Sequence, residues 1–229
     1  MLKKVFLLVL CGFAGAALGA FALEPAIVTI DAGGGGNTGW LELAHTGGGP
    51  MAVEFTVFER ALDLEGELRQ DSMVKSSDFT IYPSELILYR GERARAQVMY
   101  KGKQRVTADK AYILFAREVP LPIDEEGGGV RLGVNTLTNY MSIIYMETGK
   151  PGKLTFVSSK TLGNGDIEVI VENKSGGRVR LDGVAIIAGG RKIVNFTGKK
   201  NSVMPGQKRR FTFKYDRPLT AKEFGLGAQ

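Results

Sequence analysis

His45 is the only histidine in this chain of 229 residues, and so the only side chain whose ordinary pKa lets it exchange a proton near neutral pH. It lies in Ala44-His-Thr-Gly-Gly, which reads as a turn. A single histidine cannot assemble a typical zinc site. Cys11 is the only cysteine and no Gly-x-Ser-x-Gly elbow occurs, so neither common nucleophile arrangement is supported. Gly33–Gly36 lacks the Gly-Lys-Ser/Thr ending of a phosphate loop and reads as a turn. Asp124-Glu-Glu126, directly before Gly127–Gly129, offers carboxylates to a hard cation, but adjacent acids do not have the spacing of a calcium loop. Lys208-Arg-Arg210 ahead of Phe211 and Phe213 could touch nucleic acid or lipid, although a basic entrance to a strand explains it as well. The expectation is a non-enzymatic protein without metal or cofactor.

The N-terminus carries a different kind of information. Met1-Leu-Lys-Lys4 precedes an uncharged apolar run from Val5 to about Ala22, and Ala20-Phe-Ala22 is a small-x-small site for cleavage before Leu23. That is the pattern of a secretory signal peptide over residues 1–22. The competing reading is a membrane anchor, since the run approaches the roughly 20 residues that span a bilayer. Its Gly and Ala content and the small-residue site favour cleavage, with no stable membrane insertion afterwards. Leu10 stands where a lipoprotein site at Cys11 wants a small residue, which argues against lipidation. The mature chain then has no cysteine and no disulfide, so packed cores must stabilise it. Without Lys3 and Lys4, 28 cations face 24 anions, a net +4. That scattered excess suits an acidic partner, anionic lipid or plain solvation, and export removes nucleic acid as a partner.

Any site must be positioned by strands. No segment after the signal keeps an apolar helical stripe over three turns, and Glu59–Gln70, interrupted by Gly66, fits a strand end and loop. The glycine clusters at 33–36, 47–49 and 127–129 fall between apolar segments, as loops do. In the first half, strands are expected at 26–30, 39–44, 51–59, 79–82, 86–89, 94–100, 112–117 and 130–146. The second half offers 154–158, 167–172, 179–188, 192–196 and 210–215. Trp40, Phe55, Phe58, Tyr112 and Phe115 sit in strand patterns and are assigned to the core. The class is all-β, with short strands at the spacing of immunoglobulin-like sandwiches. Thr148-Gly-Lys-Pro-Gly152 marks a boundary between a domain at 23–148 and a smaller one at 149–229.

One stretch carries a family resemblance. Phe79-Thr-Ile-Tyr-Pro83 is followed by Leu86 and Leu88, a turn at Arg90-Gly91-Glu92, and a strand alternating Ala94, Ala96, Val98 and Tyr100 with Arg95, Gln97 and Met99. Ala111–Val119 then reads as a more fully buried strand stopped at Pro120. This order resembles the N-terminal domain of PapD-like periplasmic pilus chaperones of the chaperone-usher pathway. Ile167–Glu172 with its turn at 173–177, and Val203-Met-Pro-Gly-Gln207 before Phe211, resemble hairpins of that family's C-terminal domain.

The resemblance implies two immunoglobulin-like sandwiches in a boomerang about a short hinge, and a periplasmic chaperone that handles pilus subunits and an outer-membrane usher. A subunit lacking its last strand takes a donor strand from the chaperone, which satisfies its main-chain hydrogen bonds and fills its core with alternate side chains. Here the donor would be 129–145, with Val130, Leu132 and Val134 on one face and Leu137, out of phase, as a further contact. The family holds the subunit's terminal carboxylate with an Arg and a Lys, whose positions fall near Ile27 and Ser142, neither basic. Arg117 and Arg131 are the nearest candidates to replace them. The free form is a candidate for self-dimerisation through its exposed edge. The alternative function is an exported, non-catalytic structural or adhesion module.

Overall fold

The computed structural model describes residues 21–121, 137–182, 184–195 and 202–228. In chain order the first strands are β1 (Phe21–Glu24), β2 (Ile27–Asp31), β3 (Thr38–His45), β4 (Met51–Glu59), β5 (Phe79–Tyr82), β6 (Glu85–Leu88), β7 (Arg93–Tyr100), β8 (Lys110–Val119) and β9 (Asn139–Glu147). They form two facing sheets, a four-stranded one in the order β1-β3-β7-β5 and a five-stranded one in the order β2-β9-β8-β4-β6. All pairs are antiparallel except β2 with β9.

Period-two patterning decides which side chains meet between the sheets. Along β4, Met51, Val53, Phe55 and Val57 point into the core, while Ala52, Glu54, Thr56 and Phe58 point out. Leu41 and Leu43 on β3, Ala96 and Val98 on β7, Tyr112 and Leu114 on β8, and Ile144 and Met146 on β9 complete the same core. β8 is buried on both faces, as its sequence predicts: Ile113 on its outer face has Phe58 and Ile143 as its neighbours in register. Burial pushes the Tyr112 phenol far up, with the nearby Asp78 charge acting in the same direction.

The second sandwich comprises β10 (Leu154–Thr161), β11 (Asp166–Asn173), β12 (Val179–Arg180), β13 (Val184–Ala188), β14 (Arg191–Asn195), β15 (Ser202–Val203), β16 (Lys208–Lys214) and β17 (Phe224–Ala228). Its sheets are β10-β11-β16 and β14-β13-β17, with a short β12-β15 ladder. A separate core forms around Ile167, Val169, Val171, Ile186, Phe211 and Phe213.

Three expectations need correction. The strand expected over 179–188 is two, because β12 pairs with β15 whereas β13 pairs with β14 and β17. Trp40 is 55% exposed, since residues 40, 42 and 44 of β3 face away from the core that Leu41 and Leu43 enter. Phe58 and Phe115 likewise point outward and are half-buried, packed edge to face at 5.6 Å. β1, which was not expected, lies inside the signal-like run: Phe21 is 1% exposed, pairs in register with His45, and packs at 4.7 Å on Tyr140. A cut before Leu23 would remove this core side chain, a loss that costs about 3–5 kcal/mol for a buried Phe.

Candidate functional site

Two places gather exposed or charged groups that the core does not need. The first is the leading half of β9. From Ile143 to Glu147 this strand lies between β8 and β2, whose register begins at Ile27 opposite Ile143. Ser142 is buried, and its hydroxyl donates to the Pro25 carbonyl at 2.9 Å. Ahead of that point, Asn139–Met141 pairs with β8 on one side and, among the described residues, with no strand on the other. Met141 is 48% exposed and Leu137, just before the strand, 43%. A strand flank of this kind presents main-chain donors and acceptors to an incoming chain.

The second place is the seam between the sandwiches. Asp109 is its hub: one carboxylate oxygen accepts from the Thr148 N–H and hydroxyl, both at 2.7 Å, and the other accepts from the Arg178 N–H at 2.7 Å. The Asp109 N–H in turn donates to the Gly176 carbonyl at 2.8 Å. Arg178 bonds to Glu147 and lies 3.7 Å from the centre of the Tyr145 ring, a close cation–π contact. Arg60 Nη1 donates to the Tyr145 hydroxyl at 3.1 Å, and that hydroxyl lies 3.3 Å from Ser202 Oγ. Burial alone would raise the Tyr145 phenol, but Arg60, the Ser202 hydrogen bond and Arg178 outweigh it and hold it below its ordinary value.

Of Lys208-Arg-Arg210, the two arginines turn into this seam, while Lys208 stays exposed. Arg209 is 3% exposed and donates to the Glu65 carbonyl at 2.8 Å and the Ser202 carbonyl at 2.9 Å. Burial lowers its pKa first, and the Arg60 charge adds to that. Arg210 donates to the Glu65 carboxylate at 2.8 Å, and its N–H donates to the Leu64 carbonyl at 2.8 Å. Gly66 has φ +83°, and a Cβ there would fall 1.5 Å from Arg209 Nη1, so glycine is what lets the 60–68 loop close over the arginine. Beside these contacts opens a cavity of about 210 Å³ lined by Arg60, Lys110, Glu59, Tyr112, Met204 and Gln207. Asp109 also stands in this wall, so Arg60 and Lys110 face two carboxylates there; an incoming anion such as a carboxylate would have these two cations as its donors.

Of the residues named from sequence, Val130, Leu132, Val134 and Arg131 lie outside the described residues, as do Asp124–Glu126. Arg117 is exposed on β8, in register with Glu54 and Asn139. The seam lies at the other end of that strand, beyond Lys110, about 23 Å away at strand rise. Arg117 is therefore not brought to the cleft. Arg60 is, and its place directly after a long alternating strand was the one sequence signal available. His45 is buried at the end of β3, where Nδ1 accepts from the Gly47 N–H at 3.2 Å and Nε2 faces the Gly49 carbonyl. Among the described residues no cluster of His, Cys, Asp and Glu could hold a metal ion.

Known folds settle the architecture. The E. coli chaperone DraB superposes with a TM-score of 0.58 at 14% identity, over 92% of this chain and 94% of its own. The fold is that of the fimbrial chaperones. It consists of two immunoglobulin-like β-sandwiches. The CsuC–CsuE chaperone–tip adhesion subunit pre-assembly complex, from the archaic chaperone-usher Csu pili of Acinetobacter baumannii, matches at 0.58 and 13% identity, over 90% of this chain and 96% of that one. A Salmonella enterica complex of SafA pilin with the SafB chaperone matches at 0.54 and 17%, over 88% and 86%. In sequence, no family model and no curated protein matches the chain. The likeness is thus one of fold.

Proposed function

We propose that this chain is a periplasmic chaperone of pilus assembly, which caps a fimbrial subunit by lending it a strand and passes it to an outer-membrane usher. The observation that carries the reading is the flank of β9 at Asn139–Met141, which among the described residues has no strand beside it. Upstream of it, Val130, Leu132 and Val134 alternate with Arg131, Gly133 and Asn135, so a strand continued in that direction presents apolar side chains to one face of a guest. Leu137 would add a further contact. The first domain, which includes β1 from Phe21 and ends at 148, does the capturing, and the one at 149–229 fixes the cleft. The chemistry is association alone, with no catalysis. In the absence of a subunit, the same flank is the one through which two copies would pair.

Arg60 and Lys110 take the role that the family resemblance gives to basic residues near Ile27 and Ser142, holding the subunit's terminal carboxylate in the cleft. Arg60→Ala is expected to weaken subunit binding about 30-fold or more, since truncating one partner of a hydrogen-bonded charge pair costs about 2–5 kcal/mol. Arg60→Lys should recover part of it. Titration of a purified subunit by calorimetry checks both; equal affinity for Arg60→Ala and the parent would remove Arg60 from the site.

Export places the mature N-terminus where Phe21 survives. Ala17-Leu18-Gly19 is a second small-x-small site, and a cut after Gly19 keeps Phe21 in the core. Intact mass of the exported protein should correspond to a chain beginning at Ala20, whereas a chain beginning at Leu23 contradicts this assignment.

Co-expression with a separately encoded pilus subunit tests the function as a whole. The expected product is a soluble one-to-one complex in the periplasmic fraction. A chain that only self-associates or appears at the cell surface, while the subunit aggregates as it does alone, contradicts the chaperone reading.

A further inference from the structure

The outer face of the four-stranded sheet carries two aromatic rings that the capture of a subunit does not use. Trp40 on β3 and Tyr82 on β5 are 55% and 71% exposed. Both stand in register with the same residue of the strand between them, Gln97 of β7. The three side chains therefore form one row across the sheet, with the rings two strand spacings apart, about 9.6 Å. Met99 and Thr80 lie next along the face, and on the other side Arg95 is held by Glu42 at 3.2 Å, with Arg93 on the same carboxylate at 2.9 Å.

We propose that this row binds an extended β-1,4-linked glycan, with Trp40 and Tyr82 as stacking platforms and Gln97 bonding to sugar hydroxyls between them. The inference is independent of the chaperone reading. A pyranose ring with equatorial substituents has an apolar C–H face and a polar rim, which matches an aromatic ring flanked by amide, hydroxyl and guanidinium groups. Successive rings flip in an extended β-linked chain, so every second ring presents the same face, and two platforms separated by a polar residue suit that repeat. A protein partner fits less well. At these exposures the two rings offer on the order of 300 Å² of contact, against about 800 Å² per partner in a stable protein interface. The surrounding Glu42, Arg93 and Arg95 are paired ions rather than an apolar continuation.

The chain has one tryptophan, so its fluorescence reports this face alone. Chitohexaose added to the full exported protein is expected to shift Trp40 emission saturably. Maltohexaose, whose α-linkages curl the chain, should leave it unchanged. Tyr82→Ala should weaken chitohexaose binding about tenfold, the share of one half-covered ring, and Tyr82→Phe should retain it. Trp40→Ala, followed by calorimetry, should lose as much or more, with the circular dichroism of both variants unchanged. No saturable response at millimolar chitohexaose, or an equal response to maltohexaose, overturns the proposal. So does an emission shift that follows protein concentration without sugar, which assigns the face to a second copy of the chain.

Discussion

Replacing Leu132 and Val134 together by Asp is expected to abolish subunit capture while the free protein stays folded. Each buried large aliphatic side chain contributes about 1.5–3 kcal/mol to filling a guest's core. The replacements remove two of these and force two carboxylates toward an apolar groove, where an unpaired charge is strongly disfavoured. The loss should exceed about 5 kcal/mol, more than a thousandfold in affinity. Residues that wait for a guest contribute little to their own domain, so unfolding of the free variant should shift by no more than about 0.5 kcal/mol. Pull-down with a tagged subunit and a denaturant melt of the variant alone read the two quantities. Full capture by the folded double variant removes these residues from the donor, and unfolding of the variant assigns them to the protein's own core instead.

The second large effect falls on stability. Asp109→Ala should destabilise the protein by about 3–5 kcal/mol, because it strips the acceptor from the Thr148 N–H, the Thr148 hydroxyl and the Arg178 N–H at once. The hydroxyl can turn elsewhere. The two main-chain donors cannot, and they lie in the seam where water does not easily replace a carboxylate. Asp109→Asn keeps one carbonyl acceptor and should lose less than half as much. Urea unfolding of the three proteins gives the ordering, and a second transition in Asp109→Ala would show the sandwiches melting separately. An Asp109→Ala loss below about 1 kcal/mol would mean that Asp109 does not couple the sandwiches.

Most of the fold was readable because one physical signal dominates it. β4 and β7 alternate strictly, and their bounds follow from that alternation almost to the residue. β8, buried on both faces, was legible from its unbroken apolar run and its Val-Pro end. The misses have equally definite causes. β1 hides in an apolar stretch whose composition reads as an export signal, so nothing marks Phe21 as core. β17 alternates Phe224 and Leu226 with glycine, and Gly225 and Gly227 pack on Ile187 where a larger side chain would ordinarily advertise a strand. Trp40 was assigned inward because its size and aromatic character outweighed Glu42, which shares its face of β3 and marks that face as the outer one, opposite Leu41 and Leu43.

The site divides along the same line. The alternation behind the proposed donor is a local property of residues 130–134, which lie outside the described residues. The seam is not local: Asp109, Thr148 and Arg178 are far apart in the chain, as are Arg60, Tyr145 and Ser202, and Arg209 reaches Glu65 across 144 positions. A basic run such as Lys208-Arg-Arg210 looks the same in sequence whether it faces solvent or is clamped between two sandwiches. The burial of Arg209, its bonds to the Glu65 and Ser202 carbonyls and the close approach of Gly66 distinguish the two.

Strand donation can be read directly by disulfide trapping, because the only cysteine, Cys11, falls within the proposed signal peptide and would leave with it. Single cysteines at Leu132 and at Gly133 would each be paired with a cysteine lining the groove of a co-expressed subunit. Alternation predicts a rapid disulfide from position 132, whose side chain enters the guest's core, and little or none from position 133, which points away. Equal trapping from both positions, or none from either while the complex still forms, would contradict a strand lent by this segment.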